Sequence, residues 1–460
     1  MFNARHASTT RLALALGLLA GTAVGVGAMA LASPLGPRKA SSKETALEAS
    51  HLPPLLTVPG EDLELRFDST CLAADADESG AGCEVSGTVI AREGSGGEPV
   101  ELPLEPAGGG VLTTRVPTSL ASAPRGFTYY AVLRAEPGGP VAAVPAGGAA
   151  APYRSLPMSN TVGVDLGAHV FGVGVRKGAR IAFAPWGSGP RSVGLESGPQ
   201  QTPVGASSFD VDDAGTLTVL DEVNHRLLRW PDGVGVPSLT PVSVAGTIAD
   251  LRVATDGSAY ALETVASPGR GPLVRRFDAD GRELETVETA ERTASRIELG
   301  PEGPLVLAHP SHQWLPLYVD GAPAARSQQQ AHGRTGQPVA AGREVVVLRR
   351  DREVRVALVT AEGVRRSWRI TSDTPLAEVQ LAEVRGPRAV IVVRAYSDLE
   401  DEFIVLVLDG KGVVSRFAVC PEDWAETAPL SRFRIAGSWL YRLGSSPAGA
   451  FVDRFDLEVR

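Results

Sequence analysis

The chain of 460 residues has little of several residue types, and each shortage excludes a class of protein. Four lysines stand against forty arginines at a net charge of −9, so the clustered cations that bind nucleic acid or anionic membranes by counterion release are not expected. Beyond the N-terminus no stretch approaches the 18 apolar residues of a spanning helix. There is no G-x-S-x-G motif, no P-loop and no Cys-His pairing, which leaves the common nucleophilic and nucleotide-binding enzymes unsupported.

Cysteine is also scarce, with three residues in the chain. Cys71 and Cys83 enclose a flexible acidic loop, and in an oxidising compartment two cysteines at the ends of one hairpin can pair. This placement predicts a Cys71–Cys83 disulfide, which would stabilise the fold by about 3 kcal/mol on the chain-entropy model. Cys420 has no evident partner and is predicted to be a small buried residue near a strand end.

What is present begins with an export segment. Arg5 and Arg11 precede an uncharged run, residues 12–32, which ends in the A-x-A sequence Ala30-Leu31-Ala32. A basic flank, an apolar run and small residues are the order of a secretory signal. We predict that residues 1–32 are a cleaved signal peptide or, alternatively, a retained anchor that spans the membrane through residues 12–32. Either way the body of the protein is expected outside the cytoplasm, as a secreted, periplasmic or cell-surface protein.

Two folded parts are predicted after this segment. Residues 33–57 are rich in Pro, Ser and charge and predict a linker. Residues 58–155 contain short runs of alternating apolar and polar residues separated by Gly/Pro turns, which predicts an antiparallel β-sandwich. The aromatic strand "FTYYAVLRA" and the turn before it resemble immunoglobulin-like and fibronectin type III domains in architecture. The sandwich is expected to be separate, so that removing residues 1–160 should leave the rest folded.

Residues 165–460 show a repeat. A Gly-containing turn, an apolar strand and a second strand recur about every 44 residues, the period of a propeller blade of four strands. The pattern gives six units. Their turn glycines are Gly215, Gly257, Gly303, Gly342, Gly386 and Gly437.

One unit carries a more specific motif. Residues 209–230, "FDVDDAGTLTVLDEVNHRLLRW", resemble an NHL repeat, with an Asp-x-x-Gly turn, an apolar strand and Asn224-His225-Arg226. Asn224 and His225 are predicted to close a turn rather than to do chemistry. This resemblance is to bacterial NHL-repeat proteins, many of which are six-bladed propellers. Together with the segments described above, it predicts an all-β chain: a β-sandwich followed by a six-bladed β-propeller, after an N-terminal apolar export helix. It also implies that residues 179–187 complete the last blade, residues 431–460.

Candidate site residues follow from this architecture, because propellers place their sites at the central channel, where the innermost strands begin. These positions lack histidine and clustered carboxylates, so they suit a polar ligand rim better than a metal centre. The predicted rim residues are Ser208, Asp250, Arg296, Gln337, Glu378 and Arg432.

A zinc site is a weaker possibility. His309 and His312 form a His-x-x-His pair, and His332 in a polar loop could supply a third ligand. His309 precedes a proline, and no acidic residue lies between the pair, so we predict no metal and no cofactor.

Two functions remain open. The first is an exported or membrane-anchored, non-catalytic binding or scaffold protein whose propeller recognises a protein or glycan partner. The alternative is a propeller enzyme of the lyase or lactonase type, with a divalent metal in the central channel. The absence of a catalytic set favours the first, although fold alone does not give function.

Overall fold

The computed structural model describes residues 46–72, 83–212, 214–231, 235–244, 249–264, 271–309, 311–425 and 431–458. Most of these residues lie in β-strands, as the sequence predicts. The predicted export segment, residues 1–32, lies outside the described residues. Within the described part, no helix has both the length and the apolar character needed to cross a membrane.

The N-terminal part consists of two sheets that share one core. One sheet has the strand order β1-β3-β7-β6, and the other has the order β2-β10-β8-β4-β5 with β9 added to β8. We refer to this part as the sandwich. It comprises β1 (Ala46–His51), β2 (Leu56–Thr57), β3 (Glu64–Leu72), β4 (Glu84–Glu93), β5 (Val100–Pro103), β6 (Glu105–Gly108), β7 (Val111–Arg115), helix α1 (Thr118–Ala121), β8 (Phe127–Glu136), β9 (Val141–Val144), a 3-10 turn (Gly148–Ala150) and β10 (Tyr153–Pro157).

The sandwich core follows from residue alternation along its strands. In β8 every second residue is buried, from Phe127 to Ala135, because successive side chains of a strand point to opposite faces. These side chains meet Leu65 and Phe67 of the facing sheet in one apolar cluster. A Cys71–Cys83 disulfide joins the end of β3 to the start of β4, with the two Cα atoms 5.4 Å apart.

The predicted linker, residues 33–57, needs correction. From Ala46 onward it is part of the fold, because β1 pairs with β3 in antiparallel register and β2 pairs with β10. Leu47 and Ala49 pack against the sandwich core, which explains why this polar-looking segment forms a strand. The sandwich also continues to Pro157, two residues beyond the predicted boundary at 155.

Six larger sheets follow in the described part of the chain, after β11 (Thr161–Asp165) and β12 (Ala179–Pro185). The first is a four-stranded antiparallel meander, and so is the second. Their strands are β13 (Ser208–Val211), β14 (Leu217–Asp221), β15 (Arg226–Trp230) and β16 (Ser238–Pro241), then β17 (Ala249–Val253), β18 (Ala259–Glu263), β19 (Leu273–Phe277) and β20 (Glu283–Glu288).

The third sheet has three strands, followed by a two-stranded ribbon and helix α2, and the last three sheets are again larger. Their elements are β21 (Thr293–Gly300), β22 (Gly303–His309), β23 (Gln313–Pro316), β24 (Tyr318–Val319), β25 (Ala322–Pro323) and α2 (Arg326–Ala331); β26 (Gln337–Ala340), β27 (Arg343–Arg350), β28 (Glu353–Thr360) and β29 (Gly363–Thr371); β30 (Leu376–Arg385), β31 (Arg388–Tyr396), β32 (Asp401–Leu408) and β33 (Val413–Val419); and β34 (Phe433–Ala436), β35 (Trp439–Ser446) and β36 (Gly449–Asp456).

The six sheets succeed one another in a closed circuit, which we call the ring. Strand β13 contacts β17, β17 contacts β21 and β21 contacts β26; β30 then contacts both the fourth sheet and β34, and β34 returns to β13. We call the first strand of each sheet its inner strand. All six predicted turn glycines lie in the turn after the inner strand, with φ between 56° at Gly437 and 122° at Gly303. This left-handed backbone explains why glycine recurs there.

The ring closes as the sequence predicts. Strand β12 pairs with β36 in antiparallel register, from Ala179 opposite Arg454 to Pro185 opposite Gly449. The sheet order β12-β36-β35-β34 therefore joins a strand from the beginning of the ring to three strands from its end. An additional strand, β11, pairs in parallel with β29, so that the ring begins at Thr161 rather than at the predicted residue 165.

The sandwich and the ring share a buried contact. Eight apolar side chains from both parts form one cluster: Leu55, Leu56, Leu156, Met158, Val346, Leu348, Ala357 and Val359. Arg355 of β28 lies beside it with 1% of its side chain exposed. Its Nη1 donates to the Leu56 carbonyl at 2.8 Å and to Glu61 at 3.0 Å, and its Nε donates to Glu353. The sandwich is therefore joined to the ring by apolar and ionic contacts.

Cys420 differs from the prediction, because it is exposed and unpaired rather than buried. It follows the last residue of β33, so its position at a strand end is as predicted. Partial burial of the sulfur and the nearby carboxylates of Glu402 and Glu422 raise the pKa of its thiol, which makes it a poor nucleophile at neutral pH.

Candidate functional site

The inner strands are of two kinds. Those of the third, fourth and fifth sheets are irregular: β21 bulges at Ser295, β26 bulges at Val339, and β30 shifts register twice between Leu376 and Leu381. Strands β13, β17 and β34 pair with their neighbours without a shift. A bulge bends a strand and redirects a side chain, and bulges are frequent beside binding sites. The irregular half of the ring is therefore the better candidate for a binding site.

The regular half is closed by a buried ion network. Arg434 of β34 lies 3.3 Å from Asp250 and 3.4 Å from Glu298, and Arg252 lies 2.7 Å from Asp210 and 3.1 Å from Glu298. Burial raises the pKa of Asp210, although the two guanidinium groups oppose this shift. We call these five residues the Arg434 network. They join four adjacent inner strands, β34, β13, β17 and β21, by ion pairs.

The irregular half contains a cavity of about 630 Å³. Its walls come from β21, β26, β30 and their neighbours in the same sheets, and from the segment between β1 and β2 of the sandwich. Half of the lining residues are aliphatic, and Trp314 adds an indole ring. The apolar lining residues are Leu52, Pro53, Leu55, Leu307, Trp314, Val345, Val347, Leu348, Val379 and Ala382, and the polar ones are Ser295, Arg296, His309, His312, Thr335, Gln337, Arg349 and Glu378.

Two neutral histidines form one corner of the cavity. The rings of His309 and His312 meet edge to face with their centroids 5.0 Å apart, and His309 Nε2 is hydrogen-bonded to Ser295 Oγ at 2.8 Å. Burial lowers the pKa of His309 to about 4 and also lowers the pKa of His312. Both rings are therefore uncharged at neutral pH. The Ser295–His309 bond ties the bulge of β21 to the end of β22.

A third histidine stands behind this corner, in the sandwich. His51 is stacked on Phe67 at 4.2 Å, its Nδ1 donates to the Arg66 carbonyl at 2.6 Å, and its Nε2 accepts from the Tyr129 hydroxyl at 2.8 Å. Burial lowers the pKa of His51 to about 4, and His312 adds a smaller contribution in the same direction. His51 is therefore a neutral core residue that orients the segment lining the cavity.

Three of the six predicted rim residues, Arg296, Gln337 and Glu378, line the cavity together. The other three, Ser208, Asp250 and Arg432, do not line it.

Ser208 and Asp250 are fully buried, and the Ser208 hydroxyl donates to Asp250 at 2.7 Å, so neither lies on an open rim. Arg432 is held by Asp423 at 2.6 Å and does not line the cavity. Asp250 belongs to the Arg434 network, so its carboxylate is already paired.

Of the weak metal candidates, His309 and His312 lie side by side, but His332 does not join them. It is exposed and follows helix α2, where its backbone N–H donates to the Gln328 carbonyl. In the described part of the chain, no three His, Cys, Asp or Glu side chains are arranged to hold a metal ion. The three candidate zinc ligands therefore do not form a three-ligand site.

Several residues of the site escaped the sequence analysis. Arg434 lies two positions after Arg432 on the same strand. A shift of two residues in the predicted start of this strand would have identified Arg434, the buried arginine that pairs with carboxylates of other inner strands. Leu52 and Leu55 were assigned to a linker. No local pattern connects them to β27 or β30, which lie roughly 290 to 330 residues away along the chain.

The NHL-like stretch has a structural role. Asp221 is buried and accepts from Arg226 at 2.8 Å, from Asn224 Nδ2 at 2.8 Å and from the Gly194 N–H at 2.9 Å. His225 has a φ of 53° and its Nδ1 donates to the Val244 carbonyl. The left-handed residue of this turn is therefore His225, not Asn224, and its ring braces the following segment instead of facing the cavity.

The fold and the cavity define an all-β protein with a propeller-like succession of sheets. No protein-family model and no curated protein matches the chain.

Solved structures with a similar course of the chain include a protein of unknown function from Bacteroides caccae, which is 13% identical and has a TM-score of 0.30; the match covers 49% of this chain and 92% of that one. Virginiamycin B lyase from Staphylococcus aureus is 11% identical, with 56% and 86% covered and a TM-score of 0.30. YCF48 bound to D1 peptide is 10% identical, with 63% and 96% covered and a TM-score of 0.32. Likeness at this level carries no argument about activity.

Proposed function

We propose that the chain is an exported, non-catalytic binding protein that recognises a segment of a partner polypeptide in the cavity. In this proposal the six sheets are the blades of an NHL-like propeller, and the sandwich is an immunoglobulin- or fibronectin-III-like domain that forms one wall of the site. The apolar run at residues 12–32 supports export. The Cys71–Cys83 disulfide also supports it, since disulfides persist in oxidising compartments.

The cavity carries the proposal. Its volume of about 630 Å³ is within the range of ligand pockets, and its walls combine apolar side chains with convergent polar groups, as ligand pockets do. Such walls suit the apolar side chains of a peptide better than the hydroxyl groups of a glycan, because a buried hydroxyl group needs a hydrogen-bond partner. Three bulged strands shape the cavity, which indicates that it is built into the fold.

The enzyme alternative has less support. A lyase or lactonase of this architecture would hold a divalent metal, and His309 and His312 are the two imidazoles in the cavity. His332 is not beside them, so we derive no catalytic step through a metal. Metal analysis of the purified protein tests this alternative, because stoichiometric metal together with an activity lost on chelation would favour the enzyme.

Filling the cavity tests the binding proposal. Ala382→Trp places an indole in the cavity, whereas Val339→Trp places one on β26 at an exposed position outside it. The probe is a pool of N-acetylated tetrapeptides that end in Leu, Ile, Val or Phe, and retention by the immobilised protein is measured by mass spectrometry. We expect retention by the wild type and by Val339→Trp, and its loss in a folded Ala382→Trp variant. No retention by the wild type, or equal retention by both variants, would contradict the proposal.

A further inference from the structure

Two arginines of the cavity have no acidic partner among the described residues. Arg296 Nη2 donates to the backbone carbonyl of Gln380 at 3.3 Å, and Arg349 Nη1 donates to that of Leu376 at 3.1 Å. Both bonds hold the guanidinium groups on the irregular stretch of β30, and neither neutralises a charge. Arginines elsewhere between the sheets, such as Arg355 and Arg434, are paired with carboxylates.

The other titratable groups of the lining leave the cavity positive. The acidic residue of the lining is Glu378, whose Oε2 accepts a hydrogen bond from Gln380 Nε2 at 2.8 Å. His309 and His312 are neutral at pH 7, because burial lowers the pKa of both. Two guanidinium groups and one carboxylate give the lining a net charge of about +1 at neutral pH. An anionic group on the occupant would complete this balance.

The Arg434 network begins where the cavity lining stops along β21. Ser295 and Arg296 line the cavity, while Glu298, two residues further, is bound to Arg434 and does not line it. A cavity whose lining stops beside a buried ion pair suits the end of a chain better than a continuous segment.

We propose that the cavity binds the C-terminus of the partner polypeptide, with Arg296 as the residue that receives the terminal carboxylate. This inference rests on the binding function proposed above. The last side chain of the peptide lies against the aliphatic wall formed by Leu307, Val345 and Val347. Arg349, which is exposed at the edge of the cavity, attracts the same anion from the rim. A guanidinium group suits this role, since its donors match the two oxygens of a carboxylate.

The test compares the tetrapeptide pool described above in two forms, with a free C-terminal carboxylate and with a C-terminal amide. We expect the free acids to bind at least about tenfold more tightly than the amides, because a hydrogen bond to a charged group contributes more than one to a neutral group. Arg296→Gln should remove this difference by weakening the acids alone. Arg296→Lys should restore part of it, and Arg388→Gln, at the exposed first residue of β31, should leave it unchanged. Thermal unfolding verifies that each variant is folded.

The outcomes separate the two proposals. If acids and amides bind equally, the inference is wrong and the binding function stands. If the wild type binds neither form, both are wrong. A third set of peptides is amidated and carries an internal glutamate; if these bind as tightly as the free acids, the recognised group is a side-chain carboxylate and the C-terminal assignment fails. Should Arg296→Gln not fold, Arg349→Gln at the rim tests the same preference, with a smaller loss expected.

Discussion

At the scale of single residues, the polar groups buried between the sheets are the most informative. His51 is neutral because both of its nitrogens are occupied by protein partners in an apolar setting, with Nδ1 on a carbonyl and Nε2 on the hydroxyl of Tyr129. The buried guanidinium group of Arg355 is paired with the carboxylates of Glu61 and Glu353. His51 contributes to stability as a neutral ring and Arg355 through its ion pairs, so the two respond to substitution in different ways.

His51 should make stability depend on pH between about 6.5 and 4. Its pKa is about 4 in the folded protein and 6.5 in the unfolded chain, so the unfolded chain binds more protons in this range. Stability is therefore complete above pH 6.5 and is lost as the pH falls, by roughly 3 kcal/mol from this group at the acid end. Urea denaturation at several pH values should show a weaker dependence in His51→Gln and an unchanged one in the exposed variant His332→Gln. The same dependence in all three proteins would contradict the assignment.

Arg355 should be costly to replace. Arg355→Met removes a buried cation and leaves Glu61 and Glu353 with their outer partners alone, and breaking a buried pair costs about 3 kcal/mol or more. Arg365→Met is the matched control, since its pair with Glu362 is exposed and contributes less than about 1 kcal/mol. Urea midpoints measure both. Similar midpoint shifts for the two variants would show that Arg355 does not anchor the sandwich to the ring.

At the scale of elements, the closing strand β12 is the most revealing. Its residues alternate, with Ala182 and Ala184 buried against the ring and Phe183 45% exposed between them. Alanine suits the buried positions because β12 lies close to β36 and to the neighbouring sheet. A strand that enters the last sheet from the beginning of the ring covers the edge of β36 and joins the two ends of the ring by backbone hydrogen bonds.

Ala184→Glu should therefore destabilise the ring by at least about 3 kcal/mol, because it buries a charge without a partner. Phe183→Glu, on the opposite face of the same strand, should change stability by less than about 1 kcal/mol. Thermal unfolding of both variants measures the difference. Equal destabilisation would mean that β12 is not held in the register described, and neutrality of Ala184→Glu would mean that it does not close the ring.

The elements could be predicted from the sequence because their determinants are local. Gly215 and its five counterparts mark the turns through their positive φ, and alternation marks the strands between them. The site could not be predicted to the same extent. Ser208 and Arg432 were placed at the channel by strand position alone, but which inner-strand side chain faces a cavity depends on bulges such as the one at Ser295, and a bulge has no sequence signature here. Leu52 reaches the cavity only through tertiary structure.

At the scale of the whole molecule, the sandwich and the ring are joined by a shared set of apolar and ionic contacts. Leu55 and Leu56 share an apolar cluster with Val346 and Leu348, and Arg355 adds its ionic contacts at the same place. This changes the expectation that removing residues 1–160 leaves an undisturbed ring. Such a truncation would expose the ring's share of the cluster and remove Glu61 from Arg355.

We expect the intact protein to unfold in a single calorimetric transition, because the shared cluster couples the two parts. Removing residues 1–160 should lower the melting temperature of the ring by several degrees, since about 25 cal/mol is lost for each Å² of apolar surface newly exposed to water. Differential scanning calorimetry of the two proteins checks both statements. Two separate transitions in the intact chain, or an unaltered melting temperature after truncation, would show that the parts are independent.

The division of the inner strands into regular and bulged ones has a consequence for how such a protein can change. Strands β13, β17 and β34 are tied together by the Arg434 network, and altering them would disturb charges that are largely buried. Strands β21, β26 and β30 already depart from ideal pairing, so a substitution or a one-residue insertion there alters the shape of the cavity without breaking a continuous ladder. Natural or engineered substitutions could thus reshape the cavity in one half of the ring while the other half preserves the fold.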